Sequence, residues 1–338
     1  MQSVFDELYE NSLAKCEFKN LISIITAEEN IRLAYRNLKK NAGSRTPGTD
    51  GKTIADLAKM SEPELIGFVQ QKFNWYQPQS VRRKEIPKGN GKTRPLGIPT
   101  IMDRLIQQCV LQVMEPICEA KFCETSNGFR PNRGVENALA QAEKHMQKSN
   151  LHIVIDIDIK GFFDNVNHGK LLRQIWTMGI HDKKLLSIIS AMLKAEVAGI
   201  GFPEKGTPQG GILSPLLSNI VLNELDWWIT SQWVGMPTRH EYSGKIHENG
   251  TKDQSKKYRE LRKTNLKECY IVRYADDFKI FCRKHSDAVK LFEATRAWLK
   301  ERLGLDISPE KSKVINMEQR YSEFLGFKMK VYRKGKKY

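Results

Sequence analysis

The chain has 338 residues, of which 40% are hydrophobic and 9% aromatic, so it can bury the core of one or two domains and is not disordered as a whole. Lysine and arginine (55) exceed aspartate and glutamate (39) by 16, which favours nucleic acid as the partner over an acidic membrane surface or no polyanion at all. Because no run of 18 apolar residues, no signal-peptide pattern and no zinc or disulfide spacing among the six cysteines is present, we expect an intracellular, cytoplasmic protein that does not span a membrane.

The first hundred residues predict helices followed by a basic hairpin. Apolar residues at three- and four-residue spacing predict helices over residues 1–40, and a second helical segment runs to about Trp75. Between them, Asn41–Gly51 is rich in glycine and other turn formers and interrupts the pattern. The stretch VRRKEIPKGNGKTRPLGIP, beginning at Val81, predicts two short strands joined by a Gly-Asn-Gly turn. Six basic residues crowd this hairpin: Arg82, Arg83, Lys84, Lys88, Lys92 and Arg94.

The middle of the chain predicts helices around one acidic strand. Helical spacing covers Thr100–Ala120, Glu136–Gln147 and Leu171–Lys194. Residues 153–159 instead alternate strictly, with four isoleucines on one face and Asp156 and Asp158 on the other. A strand that buries isoleucines and presents two carboxylates on its opposite face is a candidate for an active site.

The last part of the chain predicts a second acidic element. KGTPQGG is a glycine-rich turn that leads into a long helix, and residues 233–268 are polar, rich in lysine and without clear periodicity, which is typical of an insertion. CYIVRYADDFKIFCR then predicts a hairpin with Asp276 and Asp277 at its tip. A helix over Ser286–Leu303 and a short strand pair within Lys313–Val331 follow.

Adjacent aspartates at a turn between apolar strands are electrostatically costly, because two like charges a few ångströms apart repel by ~4 kcal/mol at an effective dielectric of 20. Two Mg²⁺ ions would offset this cost, would activate a hydroxyl nucleophile and would stabilise a departing pyrophosphate. We therefore predict that Asp158, Asp276 and Asp277 are catalytic metal ligands, with Asp156 as a weaker candidate. A solvated turn is the usual explanation of an isolated Asp-Asp pair, but the flanking apolar strands and the earlier acidic strand favour the metal site.

An ordered series of motifs resembles one family, the reverse transcriptases of group II introns, which are also called maturases. The series covers nearly the whole chain. It consists of NAGSRTPGTDGKT (41–53), VRRKEIPKGNGKTRPLGIPTIMD (81–103), SNGFRPNRG (126–134), IDIDIKGFFDNVNH (155–168), GTPQGGILSPLLSNI (206–220), YADD (274–277) and FLGF (324–327).

The resemblance implies a role for each matching residue. It makes Asp158 the first catalytic carboxylate and the carbonyl of Ile159 a further metal ligand. Phe163 matches the aromatic residue that excludes a ribose 2′-hydroxyl, although an ordinary core phenylalanine is the alternative. His168 is expected to be structural. The implied nucleotide-binding residues are Arg82, Lys88, Arg94, Phe163 and Gln209, with a solvated basic turn as the alternative for the three basic ones. The implied template or primer contacts are Arg130 and Arg133, with Asn127 between strand and helix, and Gly210.

The resemblance also implies an architecture and partners. We expect an α/β right-hand polymerase fold with helical fingers over residues 1–150, including a lid loop (41–53) and the basic hairpin (81–100), and an antiparallel-sheet palm over residues 151–338, without the thumb of the family's full-length members. The implied activity is RNA-directed DNA polymerisation with two Mg²⁺, or Mn²⁺ in their place. The implied partners are an RNA template, a DNA or RNA primer, deoxynucleoside triphosphates and a group II intron RNA in a ribonucleoprotein.

Three questions stay open at this point. The chain is either a polymerase or an RNA-binding splicing cofactor that keeps the polymerase shape without activity. A more distant interpretation is the reverse transcriptase of a retron or of a diversity-generating element. The motifs GTPQGG and RPLGIPT together argue against it. The sequence does not decide whether the chain forms a homodimer.

Overall fold

The computed structural model describes residues 1–87, 93–242, 244–246, 248 and 252–332. Its helices are α1 (Gln2–Leu13), α2 (Ile22–Ile25), α3 (Glu28–Lys40), α4 (Ile54–Leu57), α5 (Glu62–Asn74), α6 (Ile101–Glu119), α7 (Val135–Glu143), α8 (Phe162–Asn165), α9 (His168–Thr177), α10 (Lys183–Leu193), α11 (Ser214–Gln232), α12 (Ser255–Leu261) and α13 (His285–Trp298). Its strands are β1 (Arg82–Pro87), β2 (Thr93–Ile98), β3 (Ser126–Asn127), β4 (Ile153–Ile157), β5 (Cys269–Tyr274), β6 (Asp277–Cys282), β7 (Lys313–Asn316), β8 (Ser322–Phe324) and β9 (Phe327–Met329).

The chain forms two compact units, and each of them is assembled from two separate stretches of sequence. Unit 1 comprises Met1–Phe122 and Gly161–Val221, and unit 2 comprises Cys123–Lys160 and the chain from Leu222 onward. The expected division into fingers (1–150) and palm (151–338) concerns function and stays a prediction. In the described part of the chain, no helix combines the length and the apolar character that crossing a bilayer requires.

Unit 1 is mainly helical and contains the basic hairpin. Helix α6 begins where the Thr100 hydroxyl oxygen accepts a hydrogen bond from the Asp103 amide at 3.2 Å, and it packs against α1 and α3. Its apolar stripe, which includes Leu105, Cys109 and Val113, is fully buried, as its helical spacing predicts. Strands β1 and β2 pair antiparallel, which confirms the predicted hairpin, while its turn (residues 88–92) lies outside the described residues.

The region predicted as one helical stretch (Leu171–Lys194) is in fact two helices, α9 and α10. Gly179 interrupts it with a φ of +90°, a conformation that favours glycine. Asp182 then caps α10, because one carboxylate oxygen accepts from the Leu185 amide at 3.0 Å, and the other accepts from the Leu21 amide at 2.8 Å. The break therefore ties the chain near α2 to the start of α10.

Unit 2 is built on a five-stranded sheet with the order β3-β5-β6-β4-β7. Strands β5, β6, β4 and β7 pair antiparallel, whereas β3 joins β5 in parallel. The expected α/β class is thus confirmed, but the sheet is mixed and not purely antiparallel. The difference arises from a two-residue edge strand, which is too short to carry a sequence pattern.

One face of this sheet is covered by apolar contacts and the β8–β9 hairpin. Val154 of β4, Val272 of β5 and Phe281 of β6 are fully buried there, together with residues of α7 and with Phe324 of β8. Because side chains alternate along a strand, Val154 lies on the same face of β4 as Asp156 and Asp158, and this face is buried at Val154. Toward the other end of the strand, the same face becomes polar.

The segment predicted as a polar insertion (233–268) is anchored at both ends in the core of unit 2. Trp233 is fully buried, and its indole N–H donates to the Tyr270 hydroxyl at 3.0 Å. Glu268 is 6% exposed and pairs with Arg262 at 2.9 Å. The segment also contains α12, whose seven residues the sequence did not predict. The two ends of the predicted insertion are therefore part of the core of unit 2, and α12 gives the segment a regular element.

Candidate active site

The two predicted acidic elements lie side by side in unit 2. Strand β4 pairs antiparallel with β6, and the last two pairs of the register are Asp156 with Lys279 and Ile157 with Phe278. The next step of the same register faces Asp158 toward Asp277, so the side chains of both aspartates belong to one face of the sheet. Asp156, Asp158 and Asp277 line a single groove of about 690 Å³. Asp158 and Asp277 therefore line the same groove, while the metal-ligand roles of Asp158, Asp276 and Asp277 stay predictions.

Asp158 stands at the accessible end of this groove, where its side chain is 42% exposed. Its carboxylate accepts hydrogen bonds from the Ser308 hydroxyl at 2.7 Å and from the Lys311 ammonium at 3.3 Å. Its main chain is fixed as well, because its carbonyl accepts from the Ser308 amide at 2.8 Å and its amide donates to the Ser312 hydroxyl at 3.1 Å. The loop 308–312 thus holds Asp158 through both main chain and side chain.

Ile159 continues this connection. It forms an antiparallel bridge with Ile307, and its side chain is 6% exposed. The predicted role of the Ile159 carbonyl as a metal ligand stays a prediction.

Asp277 is the first residue of β6 and carries a perturbed carboxyl group. Its pKa is raised to about 6. Burial is the largest cause and the neighbouring carboxylates of Asp156 and Asp276 act in the same direction, while the Lys279 ammonium and a hydrogen bond from the Leu325 amide oppose them. The ionised form of Asp277 is therefore poorly stabilised by the protein alone. A bound cation would favour that ionised form, as expected for a metal ligand.

Asp156 has partners of its own within the sheet face. Its carboxylate pairs with Lys279 at 2.9 Å and accepts a hydrogen bond from the Ser322 hydroxyl at 3.0 Å. Burial raises its pKa, against the effect of Lys279. The Lys279 ammonium also lies 5.4 Å from the centre of the Phe324 ring. Asp156 thus fastens the β8–β9 hairpin to the sheet, and its weaker candidacy as a metal ligand stays a prediction.

The donors of this groove fit a divalent ion in their chemistry, because carboxylate oxygens are hard ligands of the kind that Mg²⁺ prefers. The described residues nevertheless include no group of three or more histidine, cysteine, aspartate or glutamate side chains already arranged to hold a metal. The Asp158 carboxylate instead contacts Ser308 and Lys311. Sequence reasoning missed both residues, although Lys311 lies in a short polar segment, SPEKS, directly before a strand.

The predicted template contacts of unit 2 have structural partners. Arg130 is 8% exposed and donates to the carbonyls of Cys123 and Ser126 at 2.9 and 2.7 Å. Arg133 is less buried and donates to the Glu124 carbonyl at 3.0 Å. Asn127 is fully buried within the sheet. The roles of the two arginines toward template or primer stay predictions.

In unit 1, the basic hairpin and the glycine-rich turn are directly joined. The Gly97 amide of β2 donates to the Gln209 carbonyl at 2.6 Å. Gly210 has a φ of +119°, and a Cβ atom there would lie 2.6 Å from the Gly97 carbonyl oxygen. In the described structure, Gly210 therefore lies close to the chain's own strand β2. Its contact with template or primer stays a prediction.

The other predicted nucleotide contacts also lie in unit 1. Arg82 begins β1, and its buried Nε atom has no hydrogen-bond partner among the described residues. Arg94 pairs with Ile86 through the backbone, and Lys88 lies outside the described residues. Gln209 lies in the turn joined to β2. Their roles toward a nucleotide stay predictions.

Phe163 and His168 are both buried in unit 1. The Phe163 ring is 8% exposed and meets the Phe162 ring edge-on at 5.3 Å, while its carbonyl accepts from the Thr207 amide at 2.7 Å. His168 Nε2 donates to the Gly206 carbonyl at 2.7 Å, and burial lowers the pKa of the imidazole. His168 therefore has the structural contacts expected of it, whereas selection against ribonucleotides by Phe163 stays a prediction.

Comparisons with known proteins agree with the motif series. The family model described as "Reverse transcriptase (RNA-dependent DNA polymerase)" matches residues 86–329. Protein YkfC of Escherichia coli K12 is 32% identical over 322 residues, which cover 92% of this chain and 83% of that protein. The group II intron-encoded protein LtrA of Lactococcus lactis subsp. cremoris is 33% identical over 98% of this chain and 60% of its own length. The putative COX1/OXI3 intron 2 protein of Saccharomyces cerevisiae is 28% identical over 97% of this chain and 41% of its own length.

Proposed function

Because the chain belongs to the reverse transcriptase (RNA-dependent DNA polymerase) family, an RNA-directed class of nucleotidyltransferases, we propose that the groove of unit 2 is where it joins deoxynucleotides to a primer on an RNA template. The observation that supports this most directly is the pairing of β4 with β6, which brings Asp158 and Asp277 to one groove.

Asp158, Asp276 and Asp277 would hold the metal ions, with the Ile159 carbonyl as a further oxygen ligand. Two Mg²⁺ ions, or Mn²⁺ in their place, would supply activation of the primer hydroxyl and neutralisation of charge on the pyrophosphate. The protein's own contribution is to keep these oxygen ligands close together. It does so through the β4–β6 register and through the loop that holds the Asp158 main chain at Ser308 and Ser312.

We assign nucleotide binding to the basic hairpin and the turn joined to it. The unpartnered Nε of Arg82 supports this assignment, because a buried guanidinium donor is costly without an acceptor, and phosphate oxygens are strong acceptors. Lys88, Arg94 and Gln209 complete the proposed set, and Phe163 would exclude the ribose 2′-hydroxyl. In this assignment, the fingers comprise residues 1–150 and the palm residues 151–338.

The printed names of two relatives refer to introns, so we further propose that the partner RNA includes a group II intron and that the protein works in an intracellular ribonucleoprotein. The chain spans 60% of the length of the lactococcal relative and 41% of that of the yeast one. We therefore propose assistance of splicing for the longer proteins above all. Arg130, Arg133 and Gly210 would contribute to template or primer binding.

The test compares primer extension and RNA binding on the same preparations. The variant Asp276→Ala/Asp277→Ala is expected to lose DNA synthesis on an RNA template completely, because two metal ligands are removed. Its affinity for RNA in filter binding should stay within a few-fold of wild type, because phosphate contacts made by basic residues dominate that affinity. The control variant, Glu293→Ala/Glu301→Ala, removes two exposed carboxylates near the end of α13 and should keep full synthesis.

Two results would contradict the proposal. Continued DNA synthesis by the Asp276→Ala/Asp277→Ala variant would exclude the groove as the catalytic site. RNA binding without any DNA synthesis by the wild-type protein would instead favour a non-catalytic splicing cofactor.

A further inference from the structure

A fully buried ion pair lies beneath the turn that carries Asp276. Arg273 of β5 and Asp226 of α11 are both 0% exposed. The Arg273 Nε atom lies 2.9 Å from one carboxylate oxygen of Asp226, and Nη2 lies 2.6 Å from the other. The pair is thus bidentate, an arrangement that fixes the orientation of the guanidinium plane.

The remaining donors of Arg273 hold the neighbouring main chain and a third element. Its Nη1 atom donates to the Ala275 carbonyl at 2.7 Å, and Nη2 also donates to the Ser126 hydroxyl at 2.6 Å. Ser126 is fully buried, and its carbonyl accepts a hydrogen bond from Arg130 at 2.7 Å. One guanidinium therefore connects α11, β3 and the residue directly before Asp276.

Both polar main-chain groups of Ala275 are held within unit 2. Its carbonyl accepts from Arg273, and its amide donates to the Asn127 carbonyl at 3.0 Å. Ala275 has a φ of +54°, which an alanine rarely adopts without support from its surroundings. With Asp276 it forms the two-residue turn between the paired residues Tyr274 and Asp277. The contacts thus define the conformation from which both aspartates of the turn project.

A buried ion pair is a poor source of stability, because well-packed apolar residues in its place often stabilise a protein equally well. The pair does fix the directions of the hydrogen bonds, because the planar guanidinium donates along fixed lines that an ammonium group does not reproduce. An apolar replacement supplies neither the contact with the Ala275 carbonyl nor the contact with the Ser126 hydroxyl. Stability and control of the turn can therefore be separated by mutation.

We propose that Arg273, oriented by Asp226 and Ser126, is a positioning residue that sets the Ala275–Asp276 turn and thereby the metal-binding geometry of Asp276 and Asp277. This inference rests on the proposed function of the groove. Arg273 does not contact a substrate in this role; it acts through the main chain of the turn.

The decisive variant is Asp226→Leu/Arg273→Met, which removes both charges and so leaves neither of them buried alone. Its unfolding temperature should stay close to that of wild type, since paired apolar replacement is often neutral. Its kcat for addition of one deoxynucleotide should fall by about tenfold or more, as expected when a charge-assisted hydrogen bond is lost, while KM for the nucleotide changes little. In the absence of nucleic acid, its affinity for Mn²⁺, measured by electron paramagnetic resonance, should fall by a similar factor.

Two further variants separate positioning from folding. Arg273→Lys keeps a positive charge next to Asp226 but lacks the planar fork, so kcat and Mn²⁺ affinity should still fall. Arg283→Met breaks a pair with Glu268 at the opposite end of the β5–β6 hairpin and is the matched control. It should lower the unfolding temperature without changing kcat or Mn²⁺ affinity.

The outcomes are distinguishable. The positioning role is overturned if the Asp226→Leu/Arg273→Met variant folds and keeps the kcat and the Mn²⁺ affinity of wild type. If that variant does not fold, wild-type kcat and Mn²⁺ affinity of the Arg273→Lys variant overturn it. A different result would separate the two proposals: the wild-type protein binds Mn²⁺, the Asp276→Asn variant does not, and the wild-type protein adds no nucleotide to a primer. In that case the proposed function fails, and the positioning role is judged by Mn²⁺ affinity alone.

Discussion

The carboxyl group of Asp277 offers a direct test of the electrostatics of the groove. Its pKa is raised from 3.8 to about 6, mainly by burial. Because folding raises this pKa, the stability that Asp277 contributes is fully present below pH 3.8 and is lost as the pH rises through about 6. Above that pH, the ionised group costs the folded protein roughly 3 kcal/mol in the absence of a cation. Replacing it by the neutral, similarly shaped asparagine should remove most of this cost.

We therefore expect Asp277→Asn to raise the free energy of unfolding at pH 7.5 by about 1–3 kcal/mol without divalent ions, and to raise it by about 1 kcal/mol less at pH 5. The measurement is urea unfolding of both proteins at the two pH values, with EDTA present. Primer extension by the variant should be abolished, so the same change stabilises the protein and inactivates it.

The control is Glu323→Gln, which removes an exposed carboxylate at the edge of the same groove and should produce little difference between the two pH values. An equal effect of Asp277→Asn at pH 5 and pH 7.5, or a loss of stability at pH 7.5, would refute the reasoning from burial.

Two further predictions concern unit 1. Gly210→Ala should lower the free energy of unfolding by roughly 2 kcal/mol or more, because the φ of +119° and the carbonyl oxygen 2.6 Å from the Cβ position exclude a side chain. The control Gly67→Ala in α5, where no atom lies within 4 Å of the Cβ position, should be neutral or slightly stabilising. Equal unfolding temperatures for the two variants would contradict this prediction. Phe163→Val should raise incorporation of ribonucleotides relative to deoxynucleotides by about tenfold or more, measured as the ratio of kcat/KM values, and an unchanged ratio would identify Phe163 as a core residue only.

The elements that bear the carboxylates were predictable because their signals are local. The alternation in β4 depends only on the two-residue period of a strand, and it correctly assigned Asp156 and Asp158 to one face. The Asp276–Asp277 hairpin was equally clear from the apolar runs on both sides. That the two elements are adjacent in the sheet came from the resemblance to a family and from the chemistry of paired carboxylates, since strand order has no local signal.

The contacts that hold the site were not predictable in the same way. Asp226 and Arg273 are 47 residues apart, and nothing in the sequence links them. One local signal was available: Arg273 falls two residues after Ile271, on the apolar face of β5, where a charge requires a buried partner. Asp158 presents the same difficulty, because its contacts with Ser308 and Lys311 span 150 residues or more.

The interleaved chain path has a consequence for synthesis on the ribosome. Strand β4 pairs with β6 and β7, whose residues follow it by more than a hundred positions. At translation rates of about 5–20 residues per second, β6 and β7 are synthesised on the order of ten seconds after β4, so the isoleucines of β4 lack their sheet partners during that time. Such a delay exposes an apolar strand to aggregation, so slow elongation or the absence of a chaperone should reduce the yield of folded protein more than it does for a chain with sequential domains.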